Sequence, residues 1–92
     1  MTCKPGDLVG IPFPYSDLTT KKRRPVLVVT APDRHGDFMG LAVTSVETEK
    51  SAIAIVEGDM ETGSLPRKSW IRYDKLFTLS SGIVLKTYGS IK

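Results

Sequence analysis

Lys21-Lys22-Arg23-Arg24-Pro25-Val26-Leu27-Val28-Val29 joins four consecutive cations to a nearly continuous apolar, β-branched run. The run continues to Thr30 and has the composition of a strand buried on both faces. Proline has no backbone N–H and a fixed φ, so Pro25 is expected to open that strand. Arg24 is then held at a rigid edge, where the planar, permanently charged guanidinium suits a phosphate. Lys21, Lys22 and Arg23 read as the charged end of a loop, a solvated face that also attracts polyanions.

Upstream, Asp7 to Ile11 reads as a first strand, stopped by Pro12-Phe13-Pro14 because two prolines at alternate positions do not fit inside a ladder. Pro12 to Arg24 is therefore expected to be a loop, and long ordered loops in small domains tend to carry function. Downstream, Ala31-Pro32-Asp33 ends the second strand and His35-Gly36-Asp37 turns into a third over Phe38 to Val46. Ala52 to Val56 makes a fourth. Arg67 to Asp74 alternates, with Ser69, Ile71 and Tyr73 on one face and Lys68, Trp70, Arg72 and Asp74 on the other. Leu76 to Leu79 continues as a strand or a short helical turn, and Ile83 to Tyr88 is the last strand. No sustained 3.6-residue period is present, so little helix is expected. Short strands with frequent turn signals predict a mainly β chain forming a small antiparallel barrel.

The 92 residues are enough for one domain, 1–92, with one core. No apolar run reaches the length of a bilayer-crossing helix, and the first residues lack the layout of a signal peptide, so a cytoplasmic place is expected. The single cysteine, Cys3, cannot form an internal disulfide and reads as a free thiol of no function. With one histidine and one cysteine there is no zinc set, and no metal or other cofactor is expected. His35, alone in a turn, reads as structural.

The net charge is only +3, but its distribution is uneven. Five of the ten acids (Glu47, Glu49, Glu57, Asp59, Glu61) fall in one segment, while bases gather at 21–24 and at Arg67, Lys68, Arg72 and Lys75. Should the two basic segments meet, they form one positive patch suited to a polyanion. If that polyanion is RNA and is cut, its 2′-hydroxyl supplies the nucleophile. The protein then needs only a proton acceptor, a proton donor and groups that stabilise a crowded phosphorane. Arg72 and Asp74, two apart on a strand, emerge about 7 Å apart on one face and can address one phosphate. A carboxylate beside arginines stays ionised and can accept a proton. The same pair also reads as a plain surface ion pair. Trp70 can stack on a base or fill the core.

The segments Gly6-Asp7-Leu8-Val9, Pro12-Phe13-Pro14-Tyr15-Ser16-Asp17-Leu18 and Lys22-Arg23-Arg24-Pro25-Val26-Leu27-Val28-Val29 together resemble the opening of MazF/PemK-type toxins of bacterial type II toxin–antitoxin pairs. Leu41-Ala42-Val43-Thr44-Ser45 is similar to their third-strand motif, and Ser69 to Leu79 to their later block. The resemblance implies an SH3-like barrel and a homodimeric, metal-independent, sequence-selective endoribonuclease that leaves a 2′,3′-cyclic phosphate and a 5′-hydroxyl. It implies single-stranded RNA as substrate and an antitoxin partner with a disordered acidic tail. By position, Arg24 and Thr44 match catalytic residues, Arg72 and Asp74 match an acid and a base, and Ser45, Lys68 and Trp70 match RNA contacts. Lys21 to Arg23 join these as RNA-attracting cations. Two departures stand out: the first loop lacks the histidine of some members, and the chain stops at Lys92, where the family continues into a helix. A non-catalytic barrel that binds RNA or antitoxin, and a gyrase-poisoning toxin, are the alternative readings.

Overall fold

The computed structural model describes residues 3–14, 21–47, 49–64 and 67–91, with backbone only for 13, 14 and 21–23. Its strands are β1 (Asp7–Pro14), β2 (Lys21–Val28), β3 (Asp37–Thr44), β4 (Ala52–Ile55), β5 (Met60–Gly63), β6 (Ser69–Ser80) and β7 (Lys86–Ile91). Single 3₁₀ turns at Glu57–Asp59 and Ser81–Ile83 are the only helical elements among the described residues. All strand pairs are antiparallel, in the order β4-β6-β3-β2-β1-β7-β5.

That order has a geometric consequence. β4 and β5 are opposite edges of a seven-stranded sheet, yet they follow each other in sequence with only Val56 to Asp59 between them. In a flat sheet the two edges would lie about 29 Å apart, at about 4.8 Å per strand spacing. From Ile55 to Met60 the chain reaches at most about 18 Å, even fully extended. The sheet must therefore curl, and it forms a half-barrel, the expected small barrel architecture. Ile55 and Met60, one from each edge, are both buried in the same cluster with Leu8, Val43 and Ile71.

Period-two alternation sends neighbouring side chains to opposite faces. Leu8 of β1 enters that cluster, whereas Val9 and Ile11 join Val26, Val28, Phe38 and Cys3 in a second one. The expectation of a β2 strand covered on both faces holds for Val26 and Val28 on one side and Leu27 on the other, and fails at the exposed Val29. Cys3, read from sequence as a thiol without a role, is instead a piece of this second core, 6% exposed.

Several expectations are corrected. Pro12 to Pro14 do not end β1; they pair with Arg23 to Lys21, so the expected Pro12–Arg24 loop is largely hairpin. The reason is the direction of the missing donors. Gly10 turns its polar backbone towards the β7 side, where its carbonyl accepts the Leu85 N–H at 2.8 Å. Pro12 and Pro14, two and four residues on, face the same side, beyond the last β1–β7 pair at Gly10 and Lys86. Their lack of an N–H costs no ladder bond. Pro25 behaves alike: it precedes the first β2–β3 pair at Val26 and Ala42, so it opens that ladder but not the strand. The last strand is Lys86–Ile91 instead of Ile83–Tyr88, because 81–83 form a turn and Val84 packs on the Phe38 cluster. β5 is a strand beyond those expected from the sequence. Its pairing with β7 relies on Gly63 and Gly89, which face each other at φ +76° and +150° and whose added Cβ atoms would collide with Tyr88 and Thr62 backbone.

Gly89→Ala combines a disfavoured φ with a backbone clash and should cost about 2 kcal/mol or more, whereas Gly58→Ala, with open space around it, should stay within about 0.5 kcal/mol. Urea denaturation of both variants checks the contrast. Burial, and secondarily the Asp7 carboxylate, raise the Cys3 thiol above its ordinary value. Its contribution to stability is thus intact below the unfolded thiol's pKa of about 8.5 and is lost as pH rises through and beyond it. Cys3→Ala should flatten that alkaline loss, and native Cys3 should resist iodoacetamide until the protein unfolds.

Candidate nucleic-acid interface

Strands β2, β3 and β6 lie side by side, and their register decides which side chains share a face. Val26 is opposite Ala42, and Ala42 is opposite Arg72. Arg24 is two residues before Val26 and Thr44 two after Ala42, so both occupy the same face as Arg72. Arg24, Thr44 and Arg72 indeed line one pocket of about 230 Å³, floored by Ala42 and Phe77, and joined there by Lys75. The two basic segments of the sequence thus meet.

Arg72 is the best-defined member. Its Nη2 donates to Asp74 Oδ2 at 3.3 Å, with about a third of each side chain exposed (35% and 39%). Its Nε is buried and has no hydrogen-bond partner among the described residues. A buried donor left unmade costs about 1–3 kcal/mol, so this N–H is a polar group that the described residues leave unsatisfied beside the pocket. Thr44 Oγ1 accepts the Val46 N–H at 3.1 Å, which leaves the hydroxyl proton available for donation.

Asp74 reaches Arg72 by a route that strict alternation does not describe. Along β3, Leu41 and Ala42 are consecutive, but their β6 partners are Leu76 and Arg72. Tyr73, Asp74 and Lys75 therefore form a bulge of three residues with no counterpart on β3. Bulges re-aim side chains and are common beside active sites. Here the bulge brings Lys75 into the pocket and leaves Asp74 as Arg72's partner on the outer side. Sequence reading counted Lys75 only as charge, since no residue type marks a bulge.

The remaining predicted contacts flank the pocket. Trp70 is opposite Thr44 on β3 and Ala54 on β4, half-buried on the Arg72 face, and Lys68 Nζ sits 5.5 Å from its ring centroid. Ser45 is exposed just past the end of β3. Lys21, Lys22 and Arg23 are strand and not loop; their side chains lie outside the described residues. His35 is exposed in the β2–β3 turn, its backbone N–H bonded to Asp33 Oδ1 at 2.8 Å. Among the described residues no group of three or more His, Cys, Asp or Glu could hold a metal ion, and Asp59 is engaged in its own turn, accepting from Val56 N–H at 2.8 Å. No described helix is long and apolar enough to cross a membrane.

A curled antiparallel β-sheet thus carries Arg24, Arg72 and Lys75 into one pocket. Residues 4–92 match the family described as PemK-like, MazF-like toxin of type II toxin–antitoxin system. The chain belongs to that family. No curated protein matches it significantly.

The Arg72–Asp74 pair is too exposed to contribute much to folding. Asp74→Asn should change the urea-denaturation free energy by less than about 1 kcal/mol, so that any larger loss of function in this variant is assignable to chemistry.

Proposed function

We propose that the protein is the toxin of a type II pair and acts as a metal-independent endoribonuclease on single-stranded RNA. The observation that carries the reading is the convergence of Arg24, Thr44 and Arg72 on one pocket in a member of this toxin family. RNA cleavage by internal attack asks for few groups. The 2′-oxygen bonds to phosphorus, the P–O5′ bond breaks, and the products are a 2′,3′-cyclic phosphate and a 5′-hydroxyl.

Each residue has a role matched to its place. Asp74, hydrogen-bonded to Arg72, accepts the 2′-hydroxyl proton. Arg24 and the Thr44 hydroxyl bond to the non-bridging oxygens, where charge builds as phosphorus becomes five-coordinate. Arg72 donates to the departing 5′-oxygen. A departing alkoxide is a stronger base than a neutral guanidine. Proton transfer from Arg72 is therefore downhill as the bond breaks. Asp74, 3.3 Å from Nη2, then returns its proton to Arg72 and closes the cycle. Ser45, Lys68 and Trp70 extend the contact along the strand, with Trp70 offering a ring for base stacking. Lys21, Lys22 and Arg23 add non-specific attraction.

The same cationic face suits an antitoxin with a disordered acidic tail, which would compete with RNA for it. The exposed Ile53 and Tyr73, at 59% and 55%, support self-association into a homodimer. A cytoplasmic place follows from mRNA as substrate.

Incubation with single-stranded RNA in excess EDTA tests the reading. Cleavage to cyclic-phosphate ends is expected, with Arg24→Ala slower by about 10²–10³, the usual cost of one transition-state donor. Intact RNA after prolonged incubation, or an Arg24→Ala rate equal to wild type, would overturn it.

A further inference from the structure

The three-residue bulge of β6 has placed a third cation in the pocket, and the catalytic scheme above leaves it without a task. Lys75 lines the same pocket as Arg24, Thr44 and Arg72, although ordinary strand pairing would have given it a place on the ladder with β3. Its main chain is released from that ladder: Leu76 is opposite Leu41 and Arg72 opposite Ala42, with Lys75 between them unmatched. A bulge that only relieved curvature would need one extra residue. This one spends three, and it delivers a lysine.

Charge accounts for the usefulness of that delivery. Asp74 is bonded to Arg72 at 3.3 Å and offsets its charge. Arg24 and Arg72 line the pocket, and Lys75 adds a third cation to them, on the side where a phosphodiester passing to a dianionic phosphorane gains charge. A lysine is suited to this because its compact ammonium meets phosphate oxygens from many directions, whereas the forked arginines are committed to defined partners.

We infer that Lys75 is a phosphate-binding residue of this site, contacting the RNA backbone in the pocket and replacing the positive charge that Asp74 offsets on Arg72. This rests on the RNA-cleaving reading, and its test separates the two. Lys75→Gln, Lys75→Arg and wild type are compared in two assays: cleavage of single-stranded RNA, and binding of the same oligonucleotide carrying a 2′-deoxy sugar at the scissile position, titrated against salt. Arg34→Gln serves as control, an exposed cation in the β2–β3 turn at the opposite end of β3 from Thr44.

Lys75→Gln should bind about tenfold more weakly, with a salt slope (log K against log salt) shallower by about 0.7, the value of one phosphate contact on a single strand. Cleavage should fall at least as much, while Lys75→Arg restores most of the binding and Arg34→Gln leaves the slope unchanged. A Lys75→Gln variant with wild-type affinity and slope overturns the inference, even where wild type cleaves. Wild type that binds but does not cleave overturns the catalytic reading while the slope still decides Lys75. Absence of binding overturns both.

Discussion

Everything in this chain depends on a short connection between two distant edges. Val56 to Asp59 must carry the backbone from β4, at one end of the sheet order, to β5, at the other. Because so few residues cannot cross the width of a flat sheet, curvature is imposed by covalent reach before any packing is considered. Curvature in turn creates a concave interior in which Ile55 and Met60 meet Leu8, Val43 and Ile71. The convex side is covered by Cys3, Val9, Ile11, Val26, Val28 and Phe38, the last 1% exposed. With both faces of the central strands committed to apolar contacts, β2, β3 and β6 become a stiff support. A site that must hold cations against mutual repulsion needs such a support, since mobile side chains would move apart.

The functional consequence appears at the ends of those strands. Apolar side chains dominate the central pairs, such as Val26 with Ala42, and polar ones take over one step further, at Arg24 and Thr44. The face that is core in the middle of the sheet is thus the proposed binding surface at its margin, on the same alternation. This is an economical arrangement: one period-two pattern specifies both. The β6 bulge modifies it locally by adding Asp74 and Lys75 where the regular ladder has no place for them. Arg72 is held from two sides as a result, by strand register through its backbone and by Asp74 through its side chain.

Much of this was legible in the sequence, and the parts that were not share a cause. Ser69, Ile71 and Tyr73 alternate with Trp70, Arg72 and Asp74, and the structure keeps Ser69 and Ile71 buried and Trp70 and Arg72 on the pocket face. Local pattern suffices there because each residue's fate depends on its own face. The Pro12–Pro14 segment and β5 were misread because their pairing depends on which strand lies beside them. Pro12 is compatible with a strand only if its N–H side is open, and that is decided by where β7 ends, a contact more than seventy residues away in sequence. Likewise Met60 to Gly63 carries no strand signal of its own, and pairs as a strand where Gly89 allows β7 to approach Gly63 closely. The bulge at Tyr73–Lys75 belongs to the same class: it is a mismatch between two strands, visible in neither alone.

The prolines that mislead a sequence reader also protect the fold. Beyond Gly10 the β7 side of β1 has no ladder partner among the described residues, and an unpaired strand edge invites association with other chains. Pro12 and Pro14 remove the donors that such an association would use, while their other side continues to pair with Arg23 and Lys21. The hairpin can therefore project past the rest of the sheet without becoming adhesive, and it carries three consecutive cations on its β2 limb. Arg24 stands where this projection joins the body, opposite the buried Ile11 and on the rim of the pocket. The cation run is thereby divided by structure and not only by composition. Its first three members sit on the outer part of the β1–β2 ribbon, whereas Arg24 is opposite the buried Ile11, two residues before β2 joins β3 at Val26. Arg24, on the rim of the pocket, has the position that the proposed contact to a transferring phosphoryl group demands.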